Sequence, residues 1–481
     1  MFEKHGFAGY LAMFFYHHFL CFKVNKLLKN KCNQFRKGIF VYAIYSAVGF
    51  LSFSASFVFA ADRDKSTGHS SQAVSNSAPS GVAEEFDLKK LWDEMRLNNP
   101  QLVQARESYL AAKAMAPQAS ALNNPQIGLQ WNNMGLNSPA ALGRAPAGAY
   151  TLTQAFSFPG KKTMAGDIAD KQAEAIVGQN DTLALQLASQ LVAGYYGTLA
   201  AQKQLVSLKE AVLRLDLIKN IAKARYANNA AAYVEYLNAQ VAQSSAEADR
   251  FAMEKQLQVS LSNVKTLIGR DPRGKIILKG DIHTDRMAVP TLLELEDYAE
   301  NSHPILQSSR FQLEAAQKAV TLAKMAYLPD FQIIATSNTN NAPLSSGSSR
   351  LNYSFELDVI VPLYFFTKER YGVEQAVRNQ YATQAADVSV RQQLLLAVQT
   401  NYANYEQAKS QYQFLLDRQL PEAEAAYKLA LNSYANNGTG FNDLLTAQSQ
   451  LRSLQVSLAV AQSNLLQAYA ALLAASGKEP I

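Results

Sequence analysis

Two cysteines stand in 481 residues, and both, Cys21 and Cys32, precede an apolar run near the N-terminus. A chain that sheds this leader has no disulfide, no thiolate metal site and no cysteine to carry a lipid. Histidine is nearly as scarce. Beyond the leader only His69, His283 and His303 remain, too dispersed for a ligand set at metal-site spacing. No phosphate loop and no Gly-x-Ser-x-Gly elbow occurs, and the carboxylates are scattered along helical stretches. Neither an enzyme nor a resident metal or other cofactor is expected. A one-sided charge is missing too. The formal charge is +6, but residues 1 to 60 hold seven Lys or Arg and one acid, Glu3, which leaves 38 bases and 38 acids. A neutral body excludes a nucleic-acid binder.

Proline is absent from Met164 to Tyr226, where Leu183, Leu187, Leu191, Leu205, Leu208, Val212 and Leu215 recur at helical spacing with alanine between them. Sixty residues of helix measure roughly 90 Å, more than a globular domain is wide, so this helix requires neighbours of similar length. Ahead of it, AYTLTQAFSFPGKK alternates. Tyr150, Leu152, Phe156 and Phe158 fall on one face, and Thr151, Thr153 and Ser157 on the other, before Pro159 and Gly160 end the pattern. Gln126 to Asn132 alternates as well and forms its hairpin partner. A second strand of this kind runs through Leu351, Tyr353, Phe355, Leu357 and Val359, closes at Pro362, and again feeds a long helix.

Lys29, Lys31, Arg36 and Lys37 precede the apolar run Ile39 to Ala60, which ends Val58-Phe59-Ala60-Ala61. A basic flank, a greasy core and small residues at the cleavage position describe a secretory signal; a membrane anchor is the alternative of similar length. The polar linker that follows favours removal. The residues upstream of Lys29 exceed a signal's basic region, so a later start at Val24, Leu27 or Leu28 is expected.

The plan then repeats. Pro304 answers Pro100 and Pro329 answers Pro125, each 204 residues on, and Pro362 answers Pro159 at 203. Tyr434-Ala435-Asn436-Asn437 answers Tyr226-Ala227-Asn228-Asn229 at 208. These offsets divide the chain into a leader (1–60), a flexible linker (61–85), a first repeat (86–270), a connector (271–290), a second repeat (291–476) and a tail (477–481). The first repeat carries strands near 126–132 and 149–158 and a helical hairpin turn near 227–231. The second carries strands near 331–338 and 351–360 and a turn near 435–440. Asp87 is expected to cap a first short helix, and Thr291 with Glu294 reads as a capping box.

Four strands with one apolar face each fall short of the roughly eight that close a barrel. A soluble sheet packed on helices fits the strands as well as a shared membrane barrel does. Export, helix length and the exit Tyr364-Phe365-Phe366-Thr367-Lys368-Glu369-Arg370, which reads as an aromatic girdle followed by headgroup cations, favour the barrel. Phe158, Pro159, Gly160 and Lys161 with Pro362, Phe365 and Phe366 would mark the membrane boundary.

FSFPGKK, the duplicated halves, Asn98-Asn99-Pro100 and the turn YANNGTGFNDLLTAQ together resemble the TolC-like outer-membrane efflux proteins, and the Phe-Pro-Gly-Lys form is similar to their heavy-metal branch. The resemblance covers about residues 86 to 476. It implies a mainly α fold with a small membrane β part. In it, a duplicated long-helix α-barrel is continued by a trimeric twelve-stranded transmembrane β-barrel, four strands per chain, in the outer membrane of a Gram-negative bacterium. It further implies a homotrimer that acts as a passive exit duct, with a periplasmic adaptor (membrane fusion protein), an inner-membrane RND-type transporter and outer-membrane lipid as partners. Loops 133–148 and 339–350 would face the exterior. Asn228, Asn229, Asn436, Asn437 and Gly438 would form adaptor-docking turns. Asp443 chiefly, with Glu235, would ring the periplasmic opening with carboxylates, a gate selective for cations. Ala230 departs from the pattern where Gly438 stands, a change that asparagine's access to the left-handed conformation accommodates. A duct for type I protein secretion and a periplasmic coiled-coil adaptor or scaffold are the competing readings.

Processing is expected after Ala60, which leaves Ala61 as the first residue. N-terminal sequencing of membrane-extracted protein checks this, and any sequence that begins before Ile39 contradicts it.

Overall fold

The computed structural model describes residues 84–132, 147–280, 289–340, 351–436, 438 and 440–480. The leader, nearly all of the linker, the two strand-joining loops and Asn437 lie outside the described residues. The chain is mainly helical with a small β region. Its elements run β1 (Glu84–Phe86), α1 (Leu88–Asn98), α2 (Pro100–Ser120), β2 (Gln126–Asn132), β3 (Ala147–Phe156), α3 (Lys161–Ala227), α4 (Tyr233–Leu267) and β4 (Ile276–Leu278). They continue α5 (Leu292–Ser302), α6 (Pro304–Met325), β5 (Asp330–Asn340), β6 (Leu351–Ile360), α7 (Lys368–Phe414), a π turn (Leu415–Gln419), α8 (Leu420–Ala435) and α9 (Phe441–Ser476).

Helix starts follow their local chemistry. The Asp87 carboxylate accepts from the Lys90 N–H at 2.8 Å and opens α1. Thr291 and Glu294 make the reciprocal capping box at α5. α3 runs 67 residues, roughly 100 Å, without interruption. Its counterpart is broken. Pro421 has no N–H for the Asp417 carbonyl, and the helix widens into the π turn just before it, where the Leu420 N–H bonds the Leu415 carbonyl.

Alanine and glycine occupy much of the buried side of α3, among them Gly166, Ala169, Ala173, Gly178, Ala188, Ala200 and Ala211. Small residues let neighbouring helices approach closely. Larger residues gather in three cores. One joins β1, α1 and β4 to α3 and α4 through Phe86, Trp92, Met95, Leu191, Tyr195 and Ile268. A second lies at the far helical end around Ile218, Tyr427, Tyr434 and Phe441. The third joins α5, α6, α7 and α9 through Leu295, Leu306, Val398 and Leu472. Burying one such leucine or isoleucine contributes about 1.5–3 kcal/mol. Glu84 and Glu85 fall within the stretch expected as linker but belong to β1, which pairs in parallel with β4. Three residues are too few to show a period, and their partner lies 192 positions away at Ile276.

The remaining strands form one antiparallel sheet in the order β2-β3-β5-β6. Its register sets Ile127 opposite Leu152, Leu152 opposite Ala335, and Ala335 opposite Phe355, with Leu129, Tyr150, Ser337 and Tyr353 in the next row. Directly opposed residues share a face, so one side is largely apolar. That side is open: Ile127, Leu152, Ile333, Phe355 and Leu357 are all exposed, Phe355 by 83%. The other side carries Gln126, Gln130, Thr151, Thr153, Gln332, Thr336, Glu356 and Asp358.

β3 ends at Phe156 rather than at the expected Phe158, because the Phe158 N–H leaves the ladder and donates to the Asp330 carboxylate at 2.7 Å. The Lys161 ammonium binds the same carboxylate oxygen at 2.8 Å and the Leu328 carbonyl at 2.9 Å. Lys161 thus ties the start of α3 to the start of β5, and its side chain is 14% exposed. Gly160 stands at the N-cap of α3 with φ +94°, and a Cβ there would lie 3.1 Å from Met325. Gly160→Ala is expected to cost about 1–2 kcal/mol and to lower the melting temperature of the detergent-solubilised chain. Gly372→Ala on α7, where a Cβ meets nothing within 4 Å, should leave it unchanged or raise it. Circular dichroism melts read both.

Candidate functional site

The two helical hairpin tips share a backbone plan. Between α3 and α4 the Ala230 N–H bonds the Arg225 carbonyl at 2.8 Å, and between α8 and α9 the Gly438 N–H bonds the Ser433 carbonyl at 2.7 Å. Asn228 ends α3 and Asn436 ends α8. Asn229 takes φ +57°, the one positive-φ residue other than glycine among the described residues. Gly438 is not among the positive-φ glycines, so Ala230 fills the matching place without strain.

The paired acids differ. Asp443, in the first turn of α9, is exposed, and a Cβ on Gly440 would lie 3.4 Å from its carboxylate. Glu235, in the first turn of α4, is half-buried and accepts a hydrogen bond from the Tyr434 hydroxyl at 2.6 Å. Tyr434 itself is 1% exposed. The Arg225 guanidinium lies 4.2 Å from the centre of its ring and donates to the Tyr434 carbonyl and, at 3.2 Å, to the Ala230 carbonyl. Burial first, then the hydrogen bond and charge of Glu235, push the Tyr434 hydroxyl well above the usual tyrosine range, against the opposing Arg225 charge. Tyr434 therefore stays a proton donor at any physiological pH. The clasp of Arg225, Tyr434 and Glu235 joins one hairpin tip to the other.

At the opposite end, Phe158 stacks on Phe331 at 6.4 Å, and Pro159 and Gly160 turn the chain into α3. After Pro362, five residues intervene before α7, and there Tyr364, Phe365 and Phe366 stand exposed, the two phenylalanines edge to face at 5.7 Å. The exposed apolar sheet face and these rings lie at one end of helices whose far end carries the clasp. Among the described residues no group of three or more His, Cys, Asp or Glu is placed to hold a metal ion.

Residues 91–270 and 295–478 each match the family described as Outer membrane efflux protein. The chain belongs to that family. Its fold is that of TolC-like outer-membrane channels. It superposes on CusC, whose structures are described as following transmembrane channel formation, with a TM-score of 0.70 at 16% identity, covering 81% of this chain and 92% of CusC. On the open state of the outer membrane channel MtrE of Neisseria gonorrhoeae the score is 0.66 at 17% identity, covering 82% and 89%. A curated relative, the nickel-cobalt-cadmium resistance protein NccC of Alcaligenes xylosoxydans xylosoxydans, is 23% identical over 282 residues. That alignment covers 58% of this chain and 61% of NccC.

For an efflux protein of this family, the tip residues that pattern reading passed over are Arg225 and Tyr434. Tyr226 and Tyr434 occupy matching places in the repeated Tyr-Ala-Asn-Asn, yet Tyr226 is 47% exposed, with its ring tilted against Tyr233 at 5.1 Å between centres. The repeat was visible in the sequence; which copy of the tyrosine faces inward was not. Tyr434→Phe is expected to speed amide exchange at residues 228–235 and 432–436 by about tenfold, since a hydrogen bond to a charged group contributes about 1.5–3 kcal/mol. Tyr226→Phe should leave both segments unchanged. Hydrogen-exchange mass spectrometry distinguishes them.

Proposed function

We propose that three copies of this chain close their sheets edge to edge into a twelve-stranded barrel in the outer membrane, with their long helices continuing it as a periplasmic tube. The observation that carries this reading is the sheet, apolar and exposed on one face, polar on the other and open at β2 and β6. Lipid offers backbone groups no hydrogen bonds, so an open edge within it costs several kcal/mol for each unpaired group. Pairing β2 of one copy with β6 of the next removes every edge. A helix of roughly 100 Å suits a tube across the periplasm. A coiled-coil adaptor or scaffold has no use for such a sheet.

The assembled trimer is a passive exit duct. Cargo enters from an inner-membrane RND-type transporter, and a periplasmic adaptor docks on the turns at Asn228, Asn229, Asn436, Asn437 and Gly438. The division into repeats 86–270 and 291–476 gives each half two strands and one helical hairpin. Heavy-metal cations are the cargo that the likeness to NccC supports. Three copies of exposed Asp443 form the carboxylate ring at the periplasmic opening, a feature that concentrates cations. Glu235 adds to this ring while one of its oxygens holds Tyr434.

The test is conductance and K+ over Cl− selectivity of the purified trimer in planar bilayers. Asp443→Asn should lower cation selectivity by at least about twofold, and adding Glu235→Gln should lower it further and raise conductance as the clasp loosens. Unchanged selectivity and conductance in the double variant, with the trimer intact, would reduce both acids to helix-start residues.

A further inference from the structure

Where the two short helices of each half meet the far end of its last long helix, the chain builds one joint twice with different side chains. In the first half Asn99, 3% exposed, lies between α1 and α2. Its Oδ1 accepts from the N–H groups of Gln101 at 2.8 Å and Leu102 at 3.3 Å, and its Nδ2 donates to the Leu267 carbonyl at 2.7 Å. α4 ends there, with Gly269 at φ +77° against Asn98. In the second half His303, 5% exposed, lies between α5 and α6. Its Nδ1 accepts from the Ile305 N–H at 3.1 Å, and Ala474 and Ala475 near the end of α9 line the same cavity as the imidazole. Gly477, at φ +86°, packs against it, so that a Cβ there would lie 3.2 Å from the ring.

An amide and a neutral imidazole each present one acceptor and one donor, so both complete the joint. Only the imidazole can lose its acceptor. Because Nδ1 accepts, the neutral ring carries its proton on Nε2, and a second proton on Nδ1 sets a donor against the Ile305 N–H. A cavity of about 610 Å³ beside the ring is lined by Thr182, Gln186 and Gln190 of α3 and Gln393 and Asn401 of α7, none of them ionisable. Asp181 of α3, next to Thr182, is exposed. Other charged groups of the flanking segments have partners of their own. Glu300 of α5 lies 3.5 Å from Arg391 of α7, Arg310 of α6 donates to the Glu300 carbonyl at 3.4 Å, and Lys478 lies over the Tyr298 ring at 4.6 Å. Glu479 is exposed.

We propose that His303 is an acid-sensitive latch between the end of α9 and the start of α6, whose protonation releases the joint of the second half while Asn99 holds that of the first. Burial pushes the His303 imidazole below the ordinary histidine range, and the nearby Ala474 backbone opposes this only in part. A histidine whose value is depressed on folding contributes stability fully above its ordinary value of about 6.5 and loses it as pH falls from there toward the folded value.

Hydrogen exchange of the full chain between pH 7.5 and 5.0, corrected for intrinsic rates, reads both joints in one sample. Protection at residues 305–306 and 476–478 should fall by about fivefold, the loss of one helix cap, while residues 101–102 and 268–270 stay level. His303→Asn, which copies the first joint, should abolish the fall. Equal changes at both joints, a level second joint in the natural chain, or a fall that persists in His303→Asn would each overturn the proposal. The comparison of the two joints needs no variant, so it stands even where His303→Asn fails to fold.

Discussion

An antiparallel sheet that turns its apolar side outward needs apolar surroundings and a partner for each edge, and much of this molecule answers to that pair of requirements. The rows Ile127–Leu152–Ala335–Phe355 and Leu129–Tyr150–Ser337–Tyr353 hold because a slip of one residue would turn each strand's apolar set to the polar side. Asp330 secures the base of the sheet by holding both the Phe158 N–H and the Lys161 ammonium, so the first strand-to-helix corner is fastened to β5. An ion pair with so little exposure on its lysine is costly to break, because either partner alone keeps its desolvation penalty.

The helical body solves a different problem. A helix of 67 residues in a protein draws most of its stability from its neighbours. Three separate cores spaced along the helices provide it, and the alanine and glycine between them allow close approach where no large side chain fits.

Backbone likeness between the two halves coexists with divergence at matched positions. Tyr226 is exposed where Tyr434 is buried, Asp443 is exposed where Glu235 holds a hydroxyl, and α3 is continuous where Pro421 interrupts its counterpart. Each exchange keeps the turn or cap geometry and alters what the side chain can do. Asn99 and His303 belong to the same set: both cap a Pro-started helix, and only the histidine can take up a proton.

The sequence by itself determined the element types, the strand alternation, the great length of α3 and the family resemblance, because periods of two and 3.6 and capping residues act over a few neighbouring positions and the duplicated prolines keep a constant offset. It also determined that Asn228, Asn229, Asn436 and Gly438 lie at turns and that Asp443 and Glu235 start helices. Only the tertiary structure decided that Lys161 serves Asp330 and that Glu84 and Glu85 pair with a strand 192 residues on. It likewise decided that Glu235 is held by Tyr434 from the other hairpin, with Arg225 of its own hairpin over the Tyr434 ring. These are contacts between residues far apart in the chain, and the identity of a distant partner leaves no trace in local spacing.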